Sequence, residues 1–123
     1  MVITIDGLGV NGKTTLAKML SKETGLKNFN TGVIYRCIAL EIINKDLDLK
    51  NIKELMCQLK NINISFIGDK VFLDNEDVTD KIRTEKISFY STKWATIPEI
   101  KQLVREFQKI LLLTMILLLK EEI

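Results

Sequence analysis

The 123-residue chain is 46% hydrophobic and carries 18 Lys and Arg against 16 Asp and Glu, for a net charge of +2. That is room for one domain with a real core, and it excludes a broad basic surface for nucleic acid. The absence of histidine and the presence of only two cysteines, Cys37 and Cys57, exclude a zinc site and a disulfide framework. Both cysteines fall at apolar helical positions and read as buried, inert thiols. Free thiols and a strand that starts at Val2 lead us to expect a reducing cytoplasm, with no room for a signal peptide.

The β-branched run Val2, Ile3, Thr4 and Ile5 predicts a buried strand. Gly7 ends it, and Gly7-Leu8-Gly9-Val10-Asn11-Gly12-Lys13-Thr14-Thr15 fits the phosphate-loop pattern G-x-x-x-x-G-K-[ST] at every fixed position. Leu16, Ala17, Met19 and Leu20 then follow at helical spacing, which is the context that pattern requires. Glycines at 7, 9 and 12 let successive backbone N–H groups converge on an anion, and the N-terminus of the next helix adds its dipole. Lys13 is placed to reach the β- and γ-phosphates, and the Thr14 hydroxyl to ligate Mg²⁺. The alternative is a glycine-rich turn with a solvated lysine. Strand, spacing, Lys-Thr pair and helix together point to a nucleoside-triphosphate site, with ATP and Mg²⁺ held by residues 7–15.

Gly25 reads as a helix stop and residues 26–29 as a brief strand. Asn30-Thr31-Gly32-Val33-Ile34-Tyr35-Arg36 opens a helix through Ile38, Leu40, Ile42 and Ile43, with Asn30 or Thr31 as its cap. Alone, that heptapeptide reads equally well as a capped helix with an exposed arginine. Residues 50–60 form another amphipathic pattern, with Ile52, Leu55, Met56 and Leu59 on one side. Strict alternation over Ile62-Asn63-Ile64-Ser65-Phe66, a Gly68-Asp69 turn and Val71-Phe72-Leu73 predict a hairpin. A second turn at residues 74–77 leads into Val78-Thr79-Asp80-Lys81-Ile82-Arg83. Residues 88–96 read as helical up to Pro98, and a longer helix starts at Glu99 with Ile100, Leu103, Val104 and Phe107 in register.

Five stretches in this order resemble the bacterial cytidylate kinase family. They are the phosphate loop, residues 30–36, Glu76-Asp77-Val78-Thr79-Asp80-Lys81-Ile82-Arg83-Thr84, Thr92-Lys93-Trp94-Ala95, and Pro98-Glu99-Ile100-Lys101. The resemblance runs from Ile3 to about Lys109. It implies an α/β P-loop nucleoside-monophosphate-kinase-like three-layer fold with an inserted β-hairpin acceptor region, its parallel core sheet incomplete here. Residues 1–109 would be a partial kinase domain, with about 1–36 as nucleotide-binding core and about 37–96 as the monophosphate-binding region. It implies transfer of the γ-phosphoryl group of ATP to CMP or dCMP, with Lys13 as the catalytic residue. Thr31 and Arg36 would hold the ribose and phosphate side of the acceptor, Arg83 would lie near it, and Thr92 and Lys101 would face the cytosine. We expect a monomer, if folded, with no nucleic acid or membrane partner.

This sequence departs from the family pattern at several positions. Asn30 replaces an acidic residue and Thr92 a serine. Trp94 takes a valine position, which demands volume in packed surroundings. Lys101 takes an arginine position, so a planar fork becomes a point charge. The family's acidic-Gly-Arg-Asp strand and arginine-bearing lid have no counterpart in the sequence, so the chain is expected to lack turnover. Other readings are a small P-loop kinase for a different acceptor and a non-catalytic ATP-binding remnant.

Residues 110–119 are nearly all apolar yet fall short of the ~20 a membrane span needs. An AT-rich back-translation of residues 116–123, read two nucleotides later, gives Ile-Ile-Ile-Glu-Gly-Arg-Asp. Residues 110–123 are therefore read as an aberrant tail, out of frame from near residues 112–114, which the nucleotide sequence tests.

Overall fold

A computed structural model describes residues 2–6 and 31–122. The alternating run folds as β2 (Asn63–Ile67), with Ile64 and Phe66 buried and Asn63 and Ser65 on the wetter face. It turns through Gly68 and Asp69 into β3 (Lys70–Leu73), pairing Ile64 with Leu73, Phe66 with Val71 and Ile67 with Lys70. Only the first of the two turn residues has positive φ (Gly68, +59°), the arrangement of a type II′ hairpin turn, which glycine adopts without steric cost.

A two-residue strand, β4 (Glu76–Asp77), returns along β3 where the sequence led us to expect only a turn. Asp74 and Asn75 connect the two strands with φ of 49° and 69°. These are residue types that tolerate the left-handed region and so make a type I′ turn possible. The Asn63 N–H donates to Asp74 Oδ1 at 2.9 Å, which ties that turn back to the start of β2.

β1 (Val2–Asp6) occupies the other edge of β2 and runs antiparallel to it, giving the sheet order β1-β2-β3-β4. Every strand pairing among the described residues is antiparallel, so none of them forms the parallel core that the resemblance implies. The unpaired edge of β2 is a ready template for a β-branched segment, and β1 takes it. The brief strand expected at residues 26–29 and the helix expected after the phosphate loop lie outside the described residues.

Three α-helices and the first half of a fourth build the core. α1 (Thr31–Asn44) turns Ile34, Cys37, Ile38 and Ile42 inward at helical spacing, while α2 (Ile52–Leu59) buries Leu55 and Leu59. Asn51 caps α2 by accepting from the Glu54 N–H at 3.3 Å. α1 ends in a left-handed turn at Asp46 (φ 49°), where the Asp46 and Leu47 N–H groups donate to Ile43 and Ile42 carbonyls. Burial pushes the Cys37 thiol up to about 12, so it is inert as expected. Cys57 corrects that expectation, because it sits on the outer face of α2 and is exposed. The Glu41 carboxylate is buried on α1 and pairs with Lys45 one turn on, at 2.9 Å.

After a 3-10 turn (Lys81–Arg83), α3 (Glu85–Trp94) begins earlier than the periodicity suggested. Thr84 is its cap, accepting from the Ile87 N–H at 3.3 Å, a signal that charged Glu85 and Lys86 mask in a hydrophobic pattern. Trp94 finds its volume at a half-exposed position against Tyr90, with ring centroids 4.8 Å apart. α4 (Pro98–Glu122) starts on Pro98, whose missing N–H costs nothing in a first turn. Ile100, Leu103, Val104, Phe107, Ile110 and Leu111 bury its inner face, and it lies against α1, α2 and β1. The apolar segment continues α4, with Ile116 buried and Leu117 54% exposed. Among the described residues no helix is long and apolar enough to cross a membrane.

Candidate functional site

Residues 7–15, including Lys13 and Thr14, lie outside the described residues; the residues expected on the acceptor side do not. α1 opens on Thr31, which is partly buried, and Arg36 is partly buried at the margin of the inward face. Five helical positions turn these two apart by about 140°. Val33 and Arg36, three apart, share a side, and helical side chains lean toward the N-terminus.

Arg83 reaches the entry of α1. The chain leaving β4 is latched to β3, where Thr79 Oγ1 accepts from the Val71 N–H at 2.9 Å and donates to Asp77 Oδ1 at 2.6 Å. The Thr79 N–H donates to the same carboxylate oxygen at 3.0 Å. Buried Val78 and Ile82 then pin the 3-10 turn against α1 and α3. Arg83 is thereby exposed over a groove of about 390 Å³ lined also by Val33, Phe66, Gly68, Asp69, Lys70 and Val71. Among the described residues, Arg36, Arg83 and Lys101 enter no salt bridge. Lys70, at the hairpin turn, joins this groove without having been singled out from the sequence; a lysine opening a short strand carries no pattern of its own.

The Asp77 latch titrates. Hydrogen bonds from the Thr79 hydroxyl and N–H, with lesser attraction from Lys70, hold the Asp77 carboxyl below the usual carboxylate range. A lowered folded-state value means the unfolded chain binds more protons. The latch's contribution is thus fully present above the unfolded value of ~3.9 and is lost as pH falls through the folded one. Thermal melting in a pH series should show this acid-side loss reduced in D77N, whereas identical acid profiles for the two proteins would contradict the latch.

Thr92 and Lys101 stand apart from this groove. Thr92 is exposed on α3 and its hydroxyl donates to the Ser88 carbonyl at 3.0 Å, leaving oxygen lone pairs free to accept. It lines a second groove, about 540 Å³, with Glu85, Ser88, Phe89 and Lys93. Lys101 is exposed in the first turn of α4 and lines neither groove. So the structure joins Arg83 to the entry of α1, and it places Thr92 in a separate groove on α3. Among the described residues no group of three or more acidic, cysteine or histidine side chains is placed to hold a metal.

Comparison with known proteins places the chain in a family. The family model described as cytidylate kinase matches residues 3–117, past residue 109 and into the apolar segment. A cytidylate kinase of Fusobacterium nucleatum is 33% identical over 109 residues, covering 89% of this chain and 50% of that protein. Its counterpart from Caldanaerobacter subterraneus subsp. tengcongensis is 37% identical over 107 residues, covering 87% of this chain and 48% of the relative. One from Clostridioides difficile is 32% identical over 109 residues. The chain spans about half the length of the curated relatives it matches. With a family match that takes in both the 7–15 loop and the α1 and Arg83 segments, the chain belongs to the cytidylate kinase family.

Proposed function

We propose that this chain carries the ATP-binding and acceptor-binding parts of an ATP:(d)CMP phosphotransferase, within a P-loop nucleoside-monophosphate-kinase fold. The observation that carries this reading is the family match over residues 3–117, which includes the complete Gly7 to Thr15 pattern. Backbone N–H groups of residues 7–15 and the Lys13 ammonium would hold the triphosphate. The Thr14 hydroxyl is a hard oxygen donor suited to Mg²⁺, which on binding neutralises charge on the transferring phosphoryl group.

On the acceptor side, Arg36 on the Val33 side of α1 and Arg83 over the groove at the entry of α1 would offer two guanidinium forks for a phosphate dianion. Thr31 would approach the sugar, and the outward lone pairs of Thr92 suit a hydrogen-bond donor such as the cytosine amine, with Lys101 contributing at the base. Positioning without charge stabilisation does not transfer a phosphoryl group. Residues 1–123 contain neither an acidic-Gly-Arg-Asp segment nor an arginine lid, so taken by themselves they would bind nucleotides without turning over, and we expect them to do so as a monomer. We place this activity in the cytoplasm.

Calorimetric titration of CMP tests the acceptor side. R36A should weaken CMP binding about tenfold, the loss of one charge-assisted pair. Equal affinity in R36A would remove Arg36 from the site.

A further inference from the structure

Among the described residues, Phe89 is the most exposed large hydrophobic side chain, at 62%, ahead of Leu117 at 54% and Ile67 at 44%. It lies on the α3 face that carries Thr92, since the two are three positions apart on one helix. Among the described residues, Glu85, Ser88 and Lys93 line the groove of about 540 Å³ with them. That volume falls in the range of small-molecule pockets.

The ring is also held in place. Tyr90 meets Phe89 at 87° with centroids 5.1 Å apart, and Tyr90 in turn packs on Trp94 at 4.8 Å. An aromatic row of this kind fixes the plane of its outermost ring before any ligand arrives, which lowers the ordering cost of binding. An exposed π-face beside a hydroxyl with free lone pairs suits a flat heteroaromatic ring with a donor on its edge. A phosphate, by contrast, gains nothing from Phe89, and the opposite charges of Glu85 and Lys93 give the groove no net attraction for an anion.

We propose that Phe89 is a stacking platform for the pyrimidine ring of the acceptor nucleotide, seated in the α3 groove with the Thr92 hydroxyl at the ring's edge. This rests on the acceptor reading given above and extends it to a residue outside the five motif stretches. It also gives the site a means of choosing among bases. Cytosine presents an amine where uracil presents a carbonyl, and the Thr92 oxygen, its own proton committed to Ser88, accepts only from the former.

The test is calorimetric titration of CMP and of ribose 5-phosphate, which lacks a base, into the full 1–123 chain and its F89A, F89L and F89Y variants. F89A and F89L should each weaken CMP about tenfold, in line with base–aromatic stacking, while F89Y stays within about twofold of the wild type. Ribose 5-phosphate affinity should be the same in all four proteins. Wild-type CMP affinity in F89A, or full retention in F89L, overturns the stacking role and leaves the acceptor reading standing. A wild-type chain that does not bind CMP overturns both.

Discussion

Lys13→Ala should lower the affinity of the chain for ATP at least about tenfold. A hydrogen bond from a charged group to phosphate contributes about 1.5–3 kcal/mol, and the ammonium here would meet the most highly charged part of the ligand. The glycines and backbone N–H groups of residues 7–15 remain in the variant, so the residual binding measures what the loop does without its cation. The readout is titration with ATP in the presence of Mg²⁺, alongside far-ultraviolet circular dichroism to compare the two folds. Equal ATP affinities with matching spectra would mean that Lys13 is solvated, and that the glycine-rich segment is only a turn.

The second large effect is on stability. Phe107 is the bulkiest fully buried side chain among the described residues, at 0% exposure, and it lies on the face of α4 that closes the core formed with α1 and α2. Phe107→Ala removes its transfer energy and leaves a cavity, together about 3–5 kcal/mol. Net stabilities of single domains are about 5–15 kcal/mol, so this change consumes a large share. Urea unfolding should show a midpoint about 1 M or more lower. F89A, at an exposed position on α3, should stay within about 0.5 kcal/mol of the wild type in the same experiment. Equal midpoints for F107A and wild type would contradict the core as described.

What could be read from the sequence followed hydrophobic period. The alternation of residues 62–66, the spacing of Ile34, Ile38 and Ile42, and the register of Ile100, Leu103, Val104 and Phe107 all reappear as buried faces. Features set by a single polar atom were not legible. β4 consists of Glu76 and Asp77, both exposed, and its pairing depends on the turn chemistry of Asp74 and Asn75. The start of α3 depends on one bond to Thr84, and the path to Arg83 on the Thr79 latch. Cys57 was misplaced because an eight-residue helix such as α2 buries only Leu55 and Leu59. The partner of β1 was not legible either, since a β-branched run specifies a strand but not its neighbour.

Motif order singled out Arg36, Arg83 and Thr92 as candidates, but not that Arg83 and Thr92 line two separate grooves. Nor did it indicate Lys70 or Phe89, which enter through the hairpin turn and the outer face of α3. Neither residue occupies a motif position. Their presence at the grooves follows from what packs beside them.

The most direct test of the account is titration of purified 1–123 with CMP and with AMP, followed by an assay of ADP release from ATP and Mg²⁺ in the presence of each. The account predicts saturable CMP binding that exceeds AMP binding, with no CMP-dependent ADP release. A folded chain that binds neither monophosphate, or prefers AMP, would contradict the acceptor assignment, and CMP-dependent ADP release would contradict the proposal that residues 1–123 by themselves bind without transfer.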